Sequence, residues 1–359
     1  MNNKKQKAYL RLKPGLGVGH DAQGMLYVTR FATGKTHVYE APGWVERLLA
    51  NSVSGISEEM ALEVVQNKSD VPPEEFQGII DYLLHEGLVL RLTPEELANV
   101  NLGRYGRQVE YFYEFASGIT PFAFQNRLSS SSVVILGLGG IGAWVAMLLA
   151  MAGVDTLSLV DGGTVKESNL SRQPLFRENQ VGKHKVEAAQ ESLLDLNSGM
   201  KVFTHDALIS GPEDLREIVT GHNLVINAMD DPDINTTSSW VAEVCEPGEI
   251  PYLLAGGYSG HIGRIGPTVL PGKTTGWSAF QQYFDQRRRE NPDIEFAVGR
   301  ENHKAAFAPL AALVSSLQVW DAIRVLARLG DPLFAGKLGE VDFTTGEVLW
   351  ESADLNADA

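Results

Sequence analysis

The sequence predicts an α/β protein: a doubly wound, Rossmann-like parallel sheet over most of the 359 residues, preceded by a small winged-helix-like domain. Three observations predict it. Apolar runs at residues 133–136, 157–160 and 224–228 read as buried parallel strands, with helical stretches between them. The first run opens directly into Gly137-Leu138-Gly139-Gly140-Ile141-Gly142, a turn suited to joining a strand to a helix. Before residue 101 the pattern changes to short alternating strands and short amphipathic helices, which places the domains at 1–100 and 101–359.

In the N-terminal part, Tyr9-Leu10-Arg11-Leu12 alternates as a strand, and residues 25–30 and 35–39 form a hairpin around Ala32-Thr33-Gly34. Helices are expected at 42–50, at 57–65 with Ser57 as N-cap, and at 73–86. The third has Pro73 in its first turn, an apolar face of Phe76, Ile79, Ile80, Leu83 and Leu84, and Gly87 at its exit. Leu88-Val89-Leu90 returns as a strand, and residues 93–100, 111–116 and 121–128 read as further helices. The polar side of the third helix offers Asp81, His85 and acidic residues, poor partners for phosphate, so this unit suits a peptide better than DNA.

The glycine turn is a nucleotide signal. Its first glycine permits the tight turn, the second lets the backbone approach a phosphate, and the third lets helix and strand pack closely. The helix that follows presents unpaired N–H groups to an anion. Asp161, at the end of the next strand, stands where a carboxylate accepts from ribose hydroxyls. Asn169, Arg172, Gln173, Lys183 and Lys185 follow. Hydride transfer needs no such cation density, whereas a triphosphate does. The 224–228 strand ends at Met229-Asp230-Asp231, over the crevice of a doubly wound sheet, and Asp231 would cap the helix from Ile234.

Beyond it, Tyr252 starts a strand entering a glycine-rich turn, with His261 and Arg264 after it facing substrate or solvent. Arg287-Arg288-Arg289 reads either as a solvated face or as a cationic lip for an acidic substrate. Residues 309–329 form a long apolar helix, and 338–343 with 347–350 a closing hairpin. A net charge of −15 argues against nucleic acid as a partner. No signal peptide and no membrane-length apolar run is read, and one cysteine, Cys245, excludes internal disulfides; a cytoplasmic protein is expected.

The combination Gly137-x-Gly139-Gly140-x-Gly142, Asp161, Asn169-Leu170-x-Arg172-Gln173 and Gly182-x-x-Lys185 resembles the E1-like (ThiF/MoeB/microcin C7-type) adenylating family over residues 102–329. The closing helix, with Leu317-Gln318-Val319, resembles that family too. Its members use ATP and Mg²⁺ to adenylate a peptide or protein carboxylate. The resemblance implies that Arg172 and Lys185 neutralise phosphate charge, that Asp230 holds Mg²⁺, and that Asn169 and Gln173 orient nucleotide groups. Arg104-Tyr105-Gly106-Arg107-Gln108 matches the stretch whose second arginine, here Arg107, reaches the ATP of the other subunit of a homodimer. Many relatives carry two cysteine pairs for structural zinc. Here Gly276 and Ala279 occupy the first, and the region of His303 has no cysteine, so no zinc is expected. Cys245 reads as a small buried hydrophobe, so no thioester stage is expected.

The N-terminal unit resembles PqqD-like leader-recognition domains. The function implied is activation of carboxylates in a ribosomally made precursor peptide, on glutamate side chains, followed by intramolecular cyclisation with loss of water in antibiotic biosynthesis. Adenylation of a peptide C-terminus is the alternative within the class. A NAD-dependent oxidoreductase and a non-catalytic peptide-binding scaffold are the alternatives outside it.

Overall fold

The computed structural model describes residues 7–67, 69–100, 103–115, 120–290 and 305–352, with side chains of 99–100 and 287–290 left aside. It contains two compact units, Met1–Gln125 and Asn126–Ala359.

The first unit holds β1 (Tyr9–Leu12), β2 (Leu16–His20), β3 (Leu26–Arg30), β4 (Lys35–Tyr39), α1 (Gly43–Asn51), β5 (Ile56–Ser57), α2 (Glu58–Gln66), α3 (Pro73–His85), β6 (Val89–Leu92), α4 (Pro94–Val100) and α5 (Gly106–Phe112). Helix α6 (Pro121–Leu128) runs through the boundary. The strands make two antiparallel sheets, ordered β5-β1-β6 and β2-β3-β4. Leu10, Val28, Trp44, Leu48, Leu49, Val65 and Ile80 pack between sheets and helices as one core. Ser57 caps α2 by accepting from Met60 N–H, and Gly87 takes φ +64° just after α3, where a side chain would be strained.

Strand β2 is absent from the sequence reading. Its glycines break the apolar alternation, but Gly17 is where the Phe31 ring packs: a Cβ there would lie 2.4 Å from Phe31 Cζ. Helix α5 starts at Gly106, five positions before the expected apolar stretch at 111.

The second unit holds β7 (Ser132–Leu136), α7 (Gly140–Ala152), β8 (Thr156–Val160), α8 (Lys185–Leu196), β9 (Lys201–His205), α9 (Arg216–Val219), β10 (Leu224–Asn227), α10 (Ile234–Cys245), β11 (Tyr252–Leu254), β12 (Gly257–Ser259), β13 (Ile262–Ile265), β14 (Thr268–Val269), α11 (Trp277–Glu290), α12 (Ala308–Ala327), β15 (Lys337–Asp342) and β16 (Val348–Ser352). Six strands form one sheet in the order β14-β11-β10-β7-β8-β9, parallel except for β14. The chain moves outward one way from β7 to β9 and the other way from β10. The sheet's switch point therefore lies between β7 and β10, and a crevice opens at their C-terminal ends. A second, antiparallel sheet is ordered β12-β13-β15-β16.

Helix α12 is the long apolar helix expected at 309–329; it has 20 residues and an 18-residue window with a mean hydropathy of 1.4, enough by length and composition alone to cross a membrane. Here it is a core helix packed on α7 and β13. Its inner face carries Ser315, Gln318 and Asp321, all fully buried, and Asp321 accepts from Thr268 Oγ1 and the Leu333 and Phe334 amides.

The packing of α7 depends on Gly142. A Cβ there would stand 1.8 Å from the Gly137 carbonyl oxygen, which is backbone and has no rotamer by which to retreat. Gly142→Ala is expected to destabilise the protein by about 1–3 kcal/mol, read as a lowered urea midpoint at unchanged m-value. An unchanged midpoint would show that the turn has room to relax.

Candidate active site

Gly137 leaves β7 with φ +85°, and a Cβ on it would lie 2.7 Å from Ala228 O of the neighbouring turn. Helix α7 begins at Gly140, and its first helical bond runs from Ala143 N–H to Gly139 O. The amides of Gly140, Ile141 and Gly142 thus have no acceptor four residues back, which makes the helix start a donor set for an anion. A Cβ on Gly139 would meet nothing within 4 Å, so the backbone there is open to close approach. Gly137, Gly139 and Gly140 all line a cleft of about 1220 Å³. That exceeds the roughly 300–1,000 Å³ of small-molecule pockets and leaves room for a second reactant beside a nucleotide.

Asp161 stands at the end of β8. Its Oδ2 accepts from Leu138 N–H at 2.7 Å and from Lys185 Nζ at 3.2 Å, and its Oδ1 accepts from Gly163 N–H at 2.8 Å. The pair is largely covered, with side chains 12% and 16% exposed. A carboxylate has about four acceptor sites, so three bonds leave capacity for a ribose hydroxyl. Lys185 is the first residue of α8, and both members of the pair line the cleft.

Asn169 and Gln173 are buried and do not line the cleft. Asn169 Oδ1 accepts from Lys166 N–H, and its carbonyl accepts from the Arg172 and Gln173 amides. These residues shape the loop that presents Arg172. Gln173 Oε1 is buried without a protein partner. Trp144 of α7 donates to the Arg172 carbonyl at 3.1 Å, tying this loop to the helix that carries the cradle.

Asp230 follows β10 and is exposed in the cleft. Two residues that the pattern did not single out hold its turn. The fully buried Asn227 accepts from Met229 N–H at 3.2 Å, and Thr237 Oγ1 donates to Met229 O at 3.1 Å. The cap of α10 is Asp233, not Asp231: Asp233 is extended, and its Oδ1 accepts from the Asn235 and Thr236 amides at 2.9 and 3.1 Å. Asp231 lies two residues too early and lines the cleft instead.

Two further groups were missed in the sequence. Ala207, Leu208 and Ile209, after β9, form an apolar wall with Val160, Met229 and Trp240, suited to a base. Tyr258 of β12 also lines the cleft, its hydroxyl standing where a Cβ on Gly140 would come within 2.2 Å of it. Arg264 also lines the cleft and pairs through Nε with Glu340 at 2.9 Å, whereas His261 stands 4.0 Å from Asp342. Arg107 lies exposed on α5 in the first unit. The side chains of Arg287, Arg288 and Arg289, and His303, lie outside the described residues.

These residues fit ATP with Mg²⁺. The helix start and Gly139 suit a phosphate, and Arg172 and Lys185 supply charge. No cluster of three or more His, Cys, Asp or Glu suited to a metal occurs among the described residues. Mg²⁺ does not require one, since it binds through one or two carboxylates, phosphate oxygens and water. Asp230 would be that carboxylate.

Cys245, at the end of α10, is fully buried, and burial pushes its thiol up to about 12. It is a neutral packing group at any physiological pH. The native protein at pH 8 should leave a thiol reagent such as DTNB unconsumed, and denaturant should release one reactive thiol per chain. Rapid stoichiometric labelling of native protein would contradict the inert assignment.

Comparison with known proteins agrees with this geometry. The chain is 32% identical over 238 residues to the adenylyltransferase and sulfurtransferase uba4 of Emericella nidulans, covering 65% of this chain and 46% of that one, so it spans about half of that relative. It is 30% identical over 250 residues to the molybdopterin-synthase adenylyltransferase of Escherichia coli, covering 70% of this chain and 92% of that one. Among solved structures, PaaA superposes with a TM-score of 0.73 at 26% identity, covering 95% and 99% of the two chains. E. coli MccB with AMPCPP and MccA superposes at 0.70 with 25% identity, covering 96% and 97%. The ThiF family pattern matches residues 105–359, and on these grounds the chain belongs to the ThiF family.

Proposed function

We propose that this protein uses ATP and Mg²⁺ to adenylate carboxylates of a ribosomally made precursor peptide, on glutamate side chains, and that capture within the peptide closes a ring with net loss of water. The observation that carries the reading is the cleft itself. An anion-binding helix start, the cations Arg172 and Lys185 and the exposed carboxylate of Asp230 meet at the sheet's switch point, with room for a second reactant. The solved likenesses support a peptide as that reactant, since MccB was crystallised with MccA. Cyclisation follows from the resemblance of the sequence, without a reactive cysteine or a cysteine-bound zinc, to the peptide-antibiotic branch of the family. Activation at a peptide C-terminus is the second reading within the same family resemblance.

A substrate carboxylate oxygen bonds to the α-phosphorus of ATP, and the bond to the leaving pyrophosphate breaks. A nucleophile of the same peptide then attacks the acyl carbon and AMP leaves, carrying the oxygen that appears formally as lost water. Gly139 and the amides of Gly140, Ile141 and Gly142 hold phosphate oxygens, while Arg172 and Lys185 meet the charge that builds on the leaving group. Asp161 fixes Lys185 and accepts from the ribose. Asp230 would hold Mg²⁺, which when bound neutralises phosphate charge. The buried Cys245 offers no acyl-carrying thiolate.

The leader is assigned to the first unit. Strand β4 is an edge of its sheet, its residues are exposed apart from Tyr39, and Tyr39 meets Tyr82 of α3 edge-on. An extended peptide adds to such an edge as one more strand.

Arg107 is proposed to act in trans, in a homodimer. Asp230→Ala and Arg107→Ala chains should each lack peptide-dependent AMP release, and a mixture of the two should partly recover it, because one site of the heterodimer keeps both residues. A mixture that stays inactive after proven subunit exchange would confine Arg107 to its own chain. Full AMP release by Asp230→Ala alone would remove Asp230 from the site.

A further inference from the structure

Arg264 lines the cleft on a strand that the nucleotide residues do not use. It belongs to β13, whose residues alternate in burial: Gly263 and Ile265 are buried, and Arg264 is half-buried on the other face. The strand is firmly seated. A Cβ on Gly263 would lie 2.6 Å from Leu310 Cδ1 and Val314 Cγ2 of α12. A Cβ on Gly256, where the chain leaves β11, would lie 2.4 Å from the Arg264 carbonyl oxygen. The backbone of Arg264 is thus held by both a core helix and the exit of the parallel sheet.

Its side chain is placed by its strand neighbours. Arg264 pairs with Glu340 of β15 on one side and with Gly257 of β12 on the other. Nε donates to Glu340 Oε1 at 2.9 Å. Gly257 lines the cleft with φ +80°, and a Cβ on it would meet nothing within 4 Å. One neighbour anchors the guanidinium, and the other leaves the space beside it open. A guanidinium has five N–H donors, and Nε uses one. The four on Nη1 and Nη2 have no protein acceptor among the described residues. As a structural ion pair the two side chains, 43% and 44% exposed, would add little stability.

The order of the parallel sheet indicates which reactant Arg264 faces. The apolar wall suited to a base follows β9, Asp161 follows β8, the glycine turn follows β7, and Asp230 follows β10. Base, ribose, phosphates and metal carboxylate are accounted for along those four strand ends. Arg264 comes after β11, the next strand, on the side left to the second reactant. Asp230, Asp231 and Asp233 line the cleft as well and would repel an acidic peptide, so such a peptide needs a cation here.

We propose that Arg264 is a specificity-determining residue: its Nη edge receives a peptide carboxylate other than the one being activated, and Glu340 fixes the direction of that edge. This rests on the peptide reading of the cleft. An acidic side chain near the activated position and a free C-terminus offer the same chemistry, two coplanar oxygens that match the guanidinium fork.

The test is fluorescence anisotropy on the full chain with AMPCPP–Mg²⁺ bound, so that Arg172 and Lys185 are occupied. The probes are dansyl-triglutamate amide, dansyl-triglutamine amide, and dansyl-triglutamine with a free C-terminus. The unaltered protein should bind at least one acidic probe roughly 5- to 20-fold tighter than the neutral amide, and which one does so names the source of the carboxylate. Arg264→Gln should abolish that preference while AMPCPP affinity, read by calorimetry, stays within about 2-fold. Arg264→Lys, which keeps the charge but loses the fork, should retain only part of it. Equal binding of acidic and neutral probes by the unaltered protein would overturn the proposal. So would a loss of AMPCPP affinity in Arg264→Gln, which would give the residue to the nucleotide. Binding of none of the probes would overturn the peptide reading and this proposal together, whereas an acidic preference that survives Arg264→Gln sinks this proposal alone. If AMPCPP does not bind the unaltered protein, the nucleotide reading falls, and the acidic preference measured without it still decides the role of Arg264.

Discussion

Asp161 accepts from Leu138 N–H at 2.7 Å and Gly163 N–H at 2.8 Å and pairs with Lys185 Nζ at 3.2 Å. Each partner belongs to a different wall of the cleft: the glycine turn, the loop after β8, and the first residue of α8. One carboxylate therefore sets the turn that opens the helix start and the cation that faces it. The bonds are largely shielded from water, so loss of the carboxylate would leave a covered ammonium and two amides without their acceptor. The same group retains one acceptor site, so the structural tie leaves room for the ribose contact proposed for this residue.

The rest of the cleft is arranged around that tie in layers. Buried groups hold the loops: Asn169 under the Arg172 segment, and Asn227 with Thr237 under the Asp230 turn. Charged groups stand outside them, facing the cleft. Arg172, Lys185 and Arg264 line the cleft of a chain whose net charge is −15, together with Asp161, Asp230, Asp231 and Asp233.

Much of this was legible in the sequence because periodicity and glycine chemistry are local. The apolar runs of β7, β8 and β10, the turn at Gly137 and the Ser57 cap each depend on neighbours within a few residues. What was not legible depends on distant packing. Tyr258 lies more than a hundred positions from Gly140, and nothing around it marks a tyrosine as standing over the start of α7. Strand β2 is held by its ladder to β3, with Phe31 lying against Gly17, and its glycines read as a loop without that pairing. Asp231 and Asp233 are equally good caps on paper; the backbone, extended at Asp233, decides between them. Helix α12 was legible as a long apolar helix, but the full burial of its Ser315, Gln318 and Asp321 was not.

The account stands on one chemical event, bond formation between a peptide carboxylate and the α-phosphorus. The most direct measurement is isotope transfer: supply the peptide with ¹⁸O in its glutamate carboxylates, let the reaction run with ATP–Mg²⁺, and weigh the nucleotide products by mass spectrometry. The account predicts AMP carrying one ¹⁸O for each ring-closing event and unlabelled pyrophosphate. Label appearing in inorganic phosphate with ADP as the nucleotide product would mean attack at the γ-phosphorus, and the adenylating role assigned to the cleft would be wrong.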